Sequence, residues 1–516
     1  MRIFNSCFVG IGCTLLLLIF GCKSSLPVAE EEKEYPLNEA IYYKQLYSLK
    51  QEGANIKSPY KLPLSKEEHL LDSLLHQERE KMLAVYKERH YFPPARYFFG
   101  WKDHMDTTKL FKVFSSMPKG GMLHLHGSAS LTADWIIDKA FELEEAYVYW
   151  GEPTASLMKG NLRVFLPEQV PADYYRPQEL ASQNRDFREE WLDVLTLDYT
   201  TDSDSVDIWL EFEGYFQSVY AFLSYRPVYE EYYRASFKRL ISDGIQHVEL
   251  RNALRGLYDL ENEFPSDTII SIHKRLEKEM QQIDPAFSLR LIYSNLRRLP
   301  KEVIQADMER AMLLRKKYPD MVMGYDLVGE EDAGHTTRFF SENWVSLNEL
   351  TKKHQIDLPF YFHNGESNWA DSDNVLDTYL LRSKRIGHGF NLYRYPALWE
   401  KLKANDVCIE VCPISNQVLG YVRDLRNHPA LLYIQLGIPI SISSDDPSIF
   451  QYKGVTPDYW AIYLAWHLDL ASLKKLSQNG IQYSALTEEE KRTSLAFWKR
   501  KWEAFVSESI SMLQGS

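Results

Sequence analysis

Residues 117–128 read Met-Pro-Lys-Gly-Gly-Met-Leu-His-Leu-His-Gly-Ser, and the histidine pair in this stretch, His124 and His126, is the starting point for both fold and chemistry. The pair ends a short apolar run that is typical of a buried strand. Because side chains two apart on a strand point to the same face, both imidazoles can bind one ion. A His-x-His motif alone is a weak signal, since two polar residues at a strand end need no ligand. Its interpretation depends on partners elsewhere in the chain.

Downstream of this stretch, short β-rich runs alternate with helical patterns, which is typical of βα units and a parallel sheet. The runs are residues 121–126, 245–251, 288–294, 321–328, 358–363, 385–388, 407–412 and 439–444. Eight strands with intervening helices predict a (β/α)8 barrel, the TIM-type α/β fold. The pattern also predicts helices over residues 65–89, 107–116, 209–223, 456–473 and 487–514. The long connection after the first strand has a turn-rich, irregular part, and we interpret about residues 141–205 as an insertion.

The charge composition argues against nucleic acid as a partner. The chain has 516 residues, of which 45% are hydrophobic and 25% charged, as in an ordinary globular protein. Its 72 acidic and 59 basic residues give a formal net charge of −13. Binding to nucleic acid requires a basic footprint, so nucleic acid is not expected as a partner.

The N-terminus reads as an export signal. Residues 1–21 combine the positive Arg2 with an apolar run that is too short to span a bilayer with margin. A small residue before Cys22 resembles a bacterial lipobox, in which the cysteine is lipidated and becomes the new N-terminus. We therefore expect a lipoprotein of the cell envelope that touches the membrane only through this lipid, with residues 22–33 as a tether. Phe20 is bulky for a lipobox, which leaves ordinary secretion as the alternative.

The remaining cysteines do not predict a disulfide. Only Cys408 and Cys412 lie beyond the export signal and its cysteine, and both fall on one predicted strand. Four residues apart in an extended chain is too far for a bridge. Stability must therefore come from a packed core, with a metal as a further source.

The chain divides at about residue 116. Residues 34–115 read as a mostly helical arm, and residues 116–516 as the barrel domain. The arm either packs on the barrel or forms a homodimer contact, and the sequence does not decide between the two.

Polar residues fall at the C-terminal ends of four predicted strands, where barrels of this type carry their active sites. They are His124 and His126 after the first strand, His363 and Glu366 after the fifth, His388 after the sixth, and Asp445 and Asp446 after the eighth. Each has a structural alternative, of which helix capping by Asp446 is the strongest. Three imidazoles and a carboxylate form a donor set that suits zinc. Glu366 follows a ligand by three residues and can face the reacting atom, while His388 can orient or deprotonate water.

Together these stretches resemble the adenosine deaminase family, and most closely its extracellular branch, the adenosine deaminase-related growth factors. The matching motifs are Met-Pro-Lys-Gly-Gly at 117–121 with His-Leu-His, His-Asn-Gly-Glu at 363–366, Arg-Ile-Gly-His-Gly-Phe at 385–390, Val-Cys-Pro-Ile-Ser-Asn-Gln-Val-Leu at 411–419, Asp-Leu-Arg-Asn-His-Pro at 424–429 and Ser-Ser-Asp-Asp-Pro at 443–447. The resemblance extends from about residue 95 to about residue 486.

The resemblance implies a set of residue roles. One zinc ion per chain would be held by His124, His126, His363 and Asp445. Glu366 would protonate the purine ring at N1, and His388 would position the attacking hydroxide. Asp446 would hydrogen-bond N7, the backbone of Gly329 would contact N3, and Trp209 would be a pocket aromatic, with a plain core tryptophan as its alternative. The implied reaction is hydrolytic deamination of adenosine, and of 2′-deoxyadenosine, to inosine and ammonia.

The chain departs from the family pattern directly after the histidine pair. The family usually has an acidic residue there, whereas this chain has Gly127-Ser128-Ala129. Loss of a charged acceptor predicts weaker ribose recognition, which leaves another aminopurine or a modified nucleoside open as the substrate. A catalytically silent surface binding protein is a third alternative, against which the intact ligand set argues. The branch's cysteine-stapled insertion has no counterpart, since residues 141–242 contain no cysteine, and no receptor role is implied.

Overall fold

The computed structural model describes residues 38–55, 60, 62–154, 157–197 and 208–515. The predicted export signal and tether, residues 1–33, lie outside the described residues. The chain divides into one unit of residues 1–57 and a second of residues 58–516. In the first unit the structure describes one helix, α1 (Glu39–Asn55), on which Tyr42, Tyr43 and Tyr47 are exposed.

The second unit starts with the remaining helices of the predicted arm. They are α2 (Lys66–Glu88), α3 (Lys102–Asp106) and α4 (Lys109–Ser116). The helix predicted over residues 65–89 is confirmed, and it begins with a capping box. Ser65 Oγ accepts from the Glu68 backbone N–H at 3.2 Å, and the Ser65 N–H donates to the Glu68 carboxylate at 2.7 Å.

A strand, a helix and a region of short elements follow. They are β1 (Gly120–His126), α5 (Ala133–Glu142), β2 (Ala146–Tyr149), β3 (Leu162–Val164), β4 (Tyr174–Tyr175), α6 (Pro177–Gln183), α7 (Phe187–Leu195), α8 (Ile208–Leu223) and α9 (Arg226–Ser242). β2 pairs antiparallel with both β3 and β4 in a separate sheet. The expectation of irregular chain within this region is wrong. Strands of two to four residues are too short to produce a readable alternation of polar and apolar residues.

The rest of the chain alternates strands with helices. The elements are β5 (Ile245–Asn252), α10 (Ser266–Gln281), β6 (Ser288–Leu296), α11 (Lys301–Lys317), β7 (Val322–Val328), α12 (Ser341–His354), β8 (His363–Asn364), α13 (Val375–Leu380), β9 (Arg385–His388), α14 (Pro396–Ala404), β10 (Cys408–Val411), α15 (Pro413–Val418), α16 (Ala430–Leu436), β11 (Ile440–Ile442), α17 (Thr456–Ala465), α18 (Leu470–Gln482) and α19 (Glu488–Gln514).

Seven of the eight predicted strands are confirmed, as β1, β5 to β7 and β9 to β11. The fifth, predicted over residues 358–363, is reduced to β8, which shares only His363 with the prediction, and to an isolated bridge at Phe360. The eight strands form two four-stranded parallel sheets with the orders β1-β5-β6-β7 and β8-β9-β10-β11. Single parallel bridges join the two sheets at both seams, between Leu125 and Asp445 and between Tyr325 and Phe360. This order with helices between the strands is the TIM-type α/β fold. Each seam carries one bridge in place of a continuous ladder.

The helix predicted over residues 456–473 is wrong, because the chain breaks there into α17 and α18. His467 lies between them with a left-handed φ of +53°, and the Asp469 side chain accepts from the backbone N–H of Ser472 at 2.9 Å. The apolar periodicity continues across the break, so the break depends on the cap and not on the hydrophobic pattern.

Helix α2 packs on the helices that close the barrel. Glu68 Oε1 accepts from the Trp502 indole at 2.7 Å, and Asp72 Oδ1 accepts from the Leu470 backbone N–H at 2.8 Å. Arg79 donates to the Leu468 carbonyl at 2.5 Å. For α2, the arm therefore packs on its own barrel, while a homodimer contact through the arm stays a prediction.

The core is apolar and not disulfide-bonded in the part of the chain that is described. Cys408 and Cys412 are both buried free thiols, as the sequence predicts. No helix among the described residues combines the length and apolarity needed to cross a bilayer.

Candidate active site

Four side chains that the sequence predicts as ligands converge at the C-terminal ends of the strands. His363 Nε2 lies 2.9 Å from His124 Nε2 and 3.1 Å from His126 Nε2. Asp445 Oδ1 lies 3.2 Å from both His124 Nε2 and His126 Nε2. Ligands about 2.0–2.2 Å from a tetrahedral ion lie roughly 3.3–3.6 Å from one another. The separations here are slightly shorter, and the four side chains are close enough to share one divalent metal ion after a small outward shift.

Local backbone geometry produces this convergence. His124 and His126 alternate along β1 and so share a face, as the spacing predicts. The Asp445 N–H donates to the His124 carbonyl at 3.3 Å, and the His126 N–H donates to the Asp445 carbonyl at 3.2 Å. Asp445 has a left-handed φ of +63°, which is costly for a residue with a side chain. The backbone bridge at the seam thus brings the carboxylate against the histidine pair.

Buried polar atoms without partners mark the same place. Among the described residues, Asp445 Oδ1, Asp446 Oδ1, Glu366 Oε1 and His388 Nε2 are buried and accept or donate no hydrogen bond. Buried polar groups in folded proteins are nearly always paired. Four unpaired atoms at one set of strand ends therefore indicate a site that binds an ion and a ligand.

Two buried carboxylates below the cluster orient its histidines. Glu410 Oε2 contacts His124 Nδ1 at 2.8 Å, and Asp326 Oδ2 contacts His363 Nδ1 at 2.8 Å. Each carboxylate fixes its imidazole with Nδ1 as donor, which leaves Nε2 free for a ligand. Arg251 joins the two, since its guanidinium donates to Asp326 at 2.8 Å and to Glu410 at 2.5 Å.

Arg385, Glu249 and His247 extend this network of buried charged groups. Arg385 donates to Glu410 and to Glu249, both at 2.5 Å, and Glu249 contacts His247 at 3.1 Å. All these side chains are fully or almost fully buried. Sequence reasoning missed this network. Its signal was present, because charged residues inside otherwise apolar strand runs, such as Glu249 in His-Val-Glu-Leu, need buried partners.

Burial sets the protonation of the groups beside the cluster. Desolvation, followed by the charges of Asp445 and Glu331, raises the pKa of Glu366 well above its usual range. Glu366 is thus a carboxylic acid that can donate a proton. Burial raises the pKa of Asp446 in the same way and lowers that of His388, which is a neutral base.

A second carboxylate that sequence reasoning missed holds Glu366 in place. Glu331 accepts from the backbone N–H groups of Gly365 at 3.0 Å and Glu366 at 2.7 Å. Asn374 donates to the same carboxylate at 2.8 Å. Two hydrogen bonds to the Glu331 carboxylate therefore fix the backbone at the predicted proton donor, and the Asn374 side chain holds that carboxylate in turn.

The cluster opens into a cavity of about 560 Å³. The predicted residues that line it are His126, Trp209, Gly329, His363, Glu366, Asp445 and Asp446. His124 and His388 are buried behind this surface. Trp209 lines the cavity with Phe212 and Phe216 of α8, and it also packs against the hydrophobic core. Its role as a substrate-binding aromatic stays a prediction. Seven of the nine predicted site residues thus line the cavity, and the other two lie behind its surface.

Comparison with known proteins agrees with this geometry. A family model described as adenosine deaminase matches residues 182–496. Adenosine deaminase 2 of Dictyostelium discoideum is 34% identical over 413 residues, which cover 79% of this chain and 76% of that protein. Adenosine deaminase 2 of Sus scrofa is 32% identical over 464 residues, which cover 87% of this chain and 90% of that protein.

A solved structure shares the fold. An amidohydrolase from Burkholderia ambifaria with bound Zn has a TM-score of 0.56 at 15% identity, and the match covers 78% of this chain and 95% of that one. The family model matches more than half of the chain, and the relatives exceed 30% identity across most of it. The chain therefore belongs to the adenosine deaminase family, and it is an aminohydrolase that acts on a purine.

Proposed function

We propose that this protein is a zinc-dependent enzyme that hydrolyses adenosine and 2′-deoxyadenosine to the corresponding inosines and ammonia. The observation that carries the proposal is the convergence of three imidazoles and the Asp445 carboxylate beside Glu366, a buried carboxyl group whose pKa is raised by burial. The relatives named adenosine deaminase 2 support adenosine as the substrate.

His124, His126, His363 and Asp445 would hold one zinc ion per chain. Three nitrogens and one oxygen form a donor set that zinc prefers, and the unpaired Asp445 Oδ1 supports an ion at this point. When bound, zinc supplies Lewis acidity, which lowers the pKa of water to about 7. The zinc-containing structure from Burkholderia ambifaria supports the choice of metal.

The chain's own residues supply the proton transfers and the orientation of the purine. Glu366 donates a proton to N1 of the ring, which makes C6 electrophilic. Neutral His388, 3.7 Å from the Asp445 carboxylate, accepts the proton of the attacking water. Protonated Asp446 donates a hydrogen bond to N7, and the Gly329 backbone N–H faces N3. The C6–O bond forms, and the C6–N bond breaks when the amino group takes the proton held by His388 and leaves as ammonia. The proton of the new C6 hydroxyl returns to Glu366, while the product keeps the proton at N1.

Another aminopurine or a modified nucleoside is a second candidate substrate. It is favoured by Gly127, where a Cβ atom would lie 2.4 Å from the Tyr233 hydroxyl, so that an acidic side chain beside the histidine pair would have to displace this tyrosine. The enzyme chemistry is the same for both candidates.

Ammonia release from a purine panel tests the proposed function. We expect deamination of adenosine and 2′-deoxyadenosine, and loss of that activity on dialysis against a chelator with recovery on adding zinc. Comparison of kcat/KM for adenosine, 2′-deoxyadenosine and adenine ranks the substrates. Full activity after complete metal removal, or adenosine at the bottom of the ranking, contradicts the proposal.

Glu366→Gln and Asp445→Ala should separate the proton donor from the metal ligand. Glu366→Gln removes only the proton, so we expect normal zinc content and a turnover lower by at least about 10²–10⁴. Asp445→Ala removes a ligand and should lose both zinc and turnover. Metal analysis and single-turnover kinetics on both variants give the answer. Near-normal deamination by Glu366→Gln, or full zinc occupancy in Asp445→Ala, refutes the corresponding role.

Glu410→Gln should weaken metal binding without touching a ligand. The substitution removes the negative charge that keeps the proton of His124 on Nδ1. Loss of a hydrogen-bond partner of a metal ligand typically lowers metal affinity by roughly 10–100-fold. Zinc affinity is measured by competition with a chelating dye. Glu249→Gln is the matched control, because Glu249 belongs to the same buried network but contacts Arg385 and not a ligand histidine. Equal affinity loss in both variants would mean that the network acts only through general stability.

We further propose that the protein is exported and anchored by lipid on Cys22. The positive start, the short apolar run and the small residue before Cys22 support this. The expected result is that the full-length chain fractionates with envelope membranes of a bacterial host, whereas Cys22→Ala shifts it to the soluble fraction. Unchanged fractionation of Cys22→Ala would favour ordinary secretion or another mode of attachment.

A further inference from the structure

We propose that three arginines in the wall of the cavity form a subsite for a phosphate monoester, so that the enzyme binds a purine nucleoside 5′-monophosphate as well as the nucleoside. The three residues are Arg163, Arg255 and Arg298, which we call the arginine wall. The inference rests on the proposed function, because the wall belongs to the same cavity.

Arg163 lies on β3 and is half-buried. Its Nε donates to Asn161 Oδ1 at 3.0 Å, and within the described chain it forms no ion pair with a carboxylate. Asn161 is itself held against α8, since its Nδ2 donates to the Gln217 carbonyl at 2.8 Å. A half-buried guanidinium with no opposite charge is costly, which makes Arg163 a ready partner for an anion in the cavity.

The other two arginines are each paired with one carboxylate. Arg255 Nη1 lies 3.1 Å from Asp307 Oδ2, and Arg298 Nη1 lies 2.5 Å from Glu213 Oε2. Asp307 is shared, because Arg310 Nη1 contacts its other oxygen at 2.9 Å. Two carboxylates therefore face four guanidiniums around this wall, so it carries an excess of positive charge.

All of this wall lies along one side of α8. Glu213, Gln217 and Tyr220 occupy successive turns of the helix, over about 10 Å. Glu213 contacts Arg298, the Gln217 carbonyl contacts Asn161, and the Tyr220 hydroxyl donates to the Arg255 carbonyl at 3.1 Å. The helix thus brings together arginines that come from three separate parts of the chain.

Around Gly127 and Ser128, the residues after the histidine pair, the cavity is lined by uncharged side chains. A side chain at Gly127 would overlap the Tyr233 hydroxyl and lie 3.3 Å from Asn252 Nδ2. Asn252 Nδ2 donates to Tyr233 Oη at 3.0 Å, and burial raises the pKa of Tyr233 well above its usual range, so the hydroxyl stays neutral. Ser128, Tyr233 and Asn252 all line the cavity as uncharged groups.

Together these features suit the parts of a purine nucleoside 5′-monophosphate. The purine ring would lie against Glu366, the proposed proton donor. Phe216 offers an aromatic surface nearby, since its ring centroid is 6.3 Å from that of His126. The arginine wall then suits a phosphate group, because guanidinium forks bind phosphate oxygens bidentately. Free inorganic phosphate has the same chemistry, and the experiment must distinguish the two.

The test compares deamination of adenosine and adenosine 5′-monophosphate by the wild-type protein, Arg163→Gln and Arg185→Gln. Arg185 is the matched control, since it is an exposed arginine between α6 and α7 that does not line the cavity. We expect the nucleotide to be a substrate. The ratio of its kcat/KM to that of adenosine should fall about 10–100-fold in Arg163→Gln, the loss of one hydrogen bond between charged groups. Arg185→Gln should keep the wild-type ratio.

Three outcomes overturn the inference. In the first, the nucleotide is neither deaminated nor a competitive inhibitor while adenosine is deaminated, so the subsite is refuted and the proposed function stands. In the second, inorganic phosphate inhibits with the same dependence on Arg163 but the nucleotide does not bind. In the third, Arg185→Gln changes the ratio as much as Arg163→Gln does.

A binding measurement keeps the inference independent of turnover. Isothermal titration of Glu366→Gln with the nucleotide and with adenosine should show tighter binding of the nucleotide, and that preference should disappear in the double variant that also carries Arg163→Gln. Failure of every purine to be deaminated by the wild-type protein would refute the proposed function, whereas equal binding of the two ligands would refute the subsite.

Discussion

The structure depends on one buried guanidinium. Arg251 lies in the barrel interior and donates to Asp326 and Glu410, and these two carboxylates orient His363 and His124. The charges are tolerated without water because each has opposite charges at hydrogen-bond distance. The same contacts join strands from both sheets. The packing of the barrel and the orientation of the ligand histidines therefore follow from a single set of ion pairs.

The seam between the two sheets places the reactive groups. At Asp445 the backbone pairs with β1 and takes a left-handed conformation, and His388 at the end of β9 has a left-handed φ of +60°. Strained backbone at the ends of strands is maintained only where surrounding packing leaves no alternative. Here it directs the Asp445 carboxylate and the His388 imidazole toward the cluster.

The residues proposed to react with the substrate and those proposed to recognise it come from different parts of the fold. Residues at the strand ends, among them Glu366, to which we assign proton transfer, come from the barrel. The opposite side of the cavity is formed by α8, with Arg163 contributed by the small β2–β4 sheet. Substrate preference can therefore change through the connection after β1 without disturbing the metal cluster.

The sequence by itself determined seven of the eight strands, most of the helices and the residues at the strand ends, because these follow from periodicity and from spacing along the chain. It also determined that His124 and His126 share a face. Only the tertiary structure decided which buried charges pair, since Arg251 meets partners 75 and 159 residues away. It also decided that Tyr233 fills the space beside Gly127 and that Arg163, Arg255 and Arg298 line one cavity. Such contacts arise from close packing of distant segments, which a local pattern does not encode.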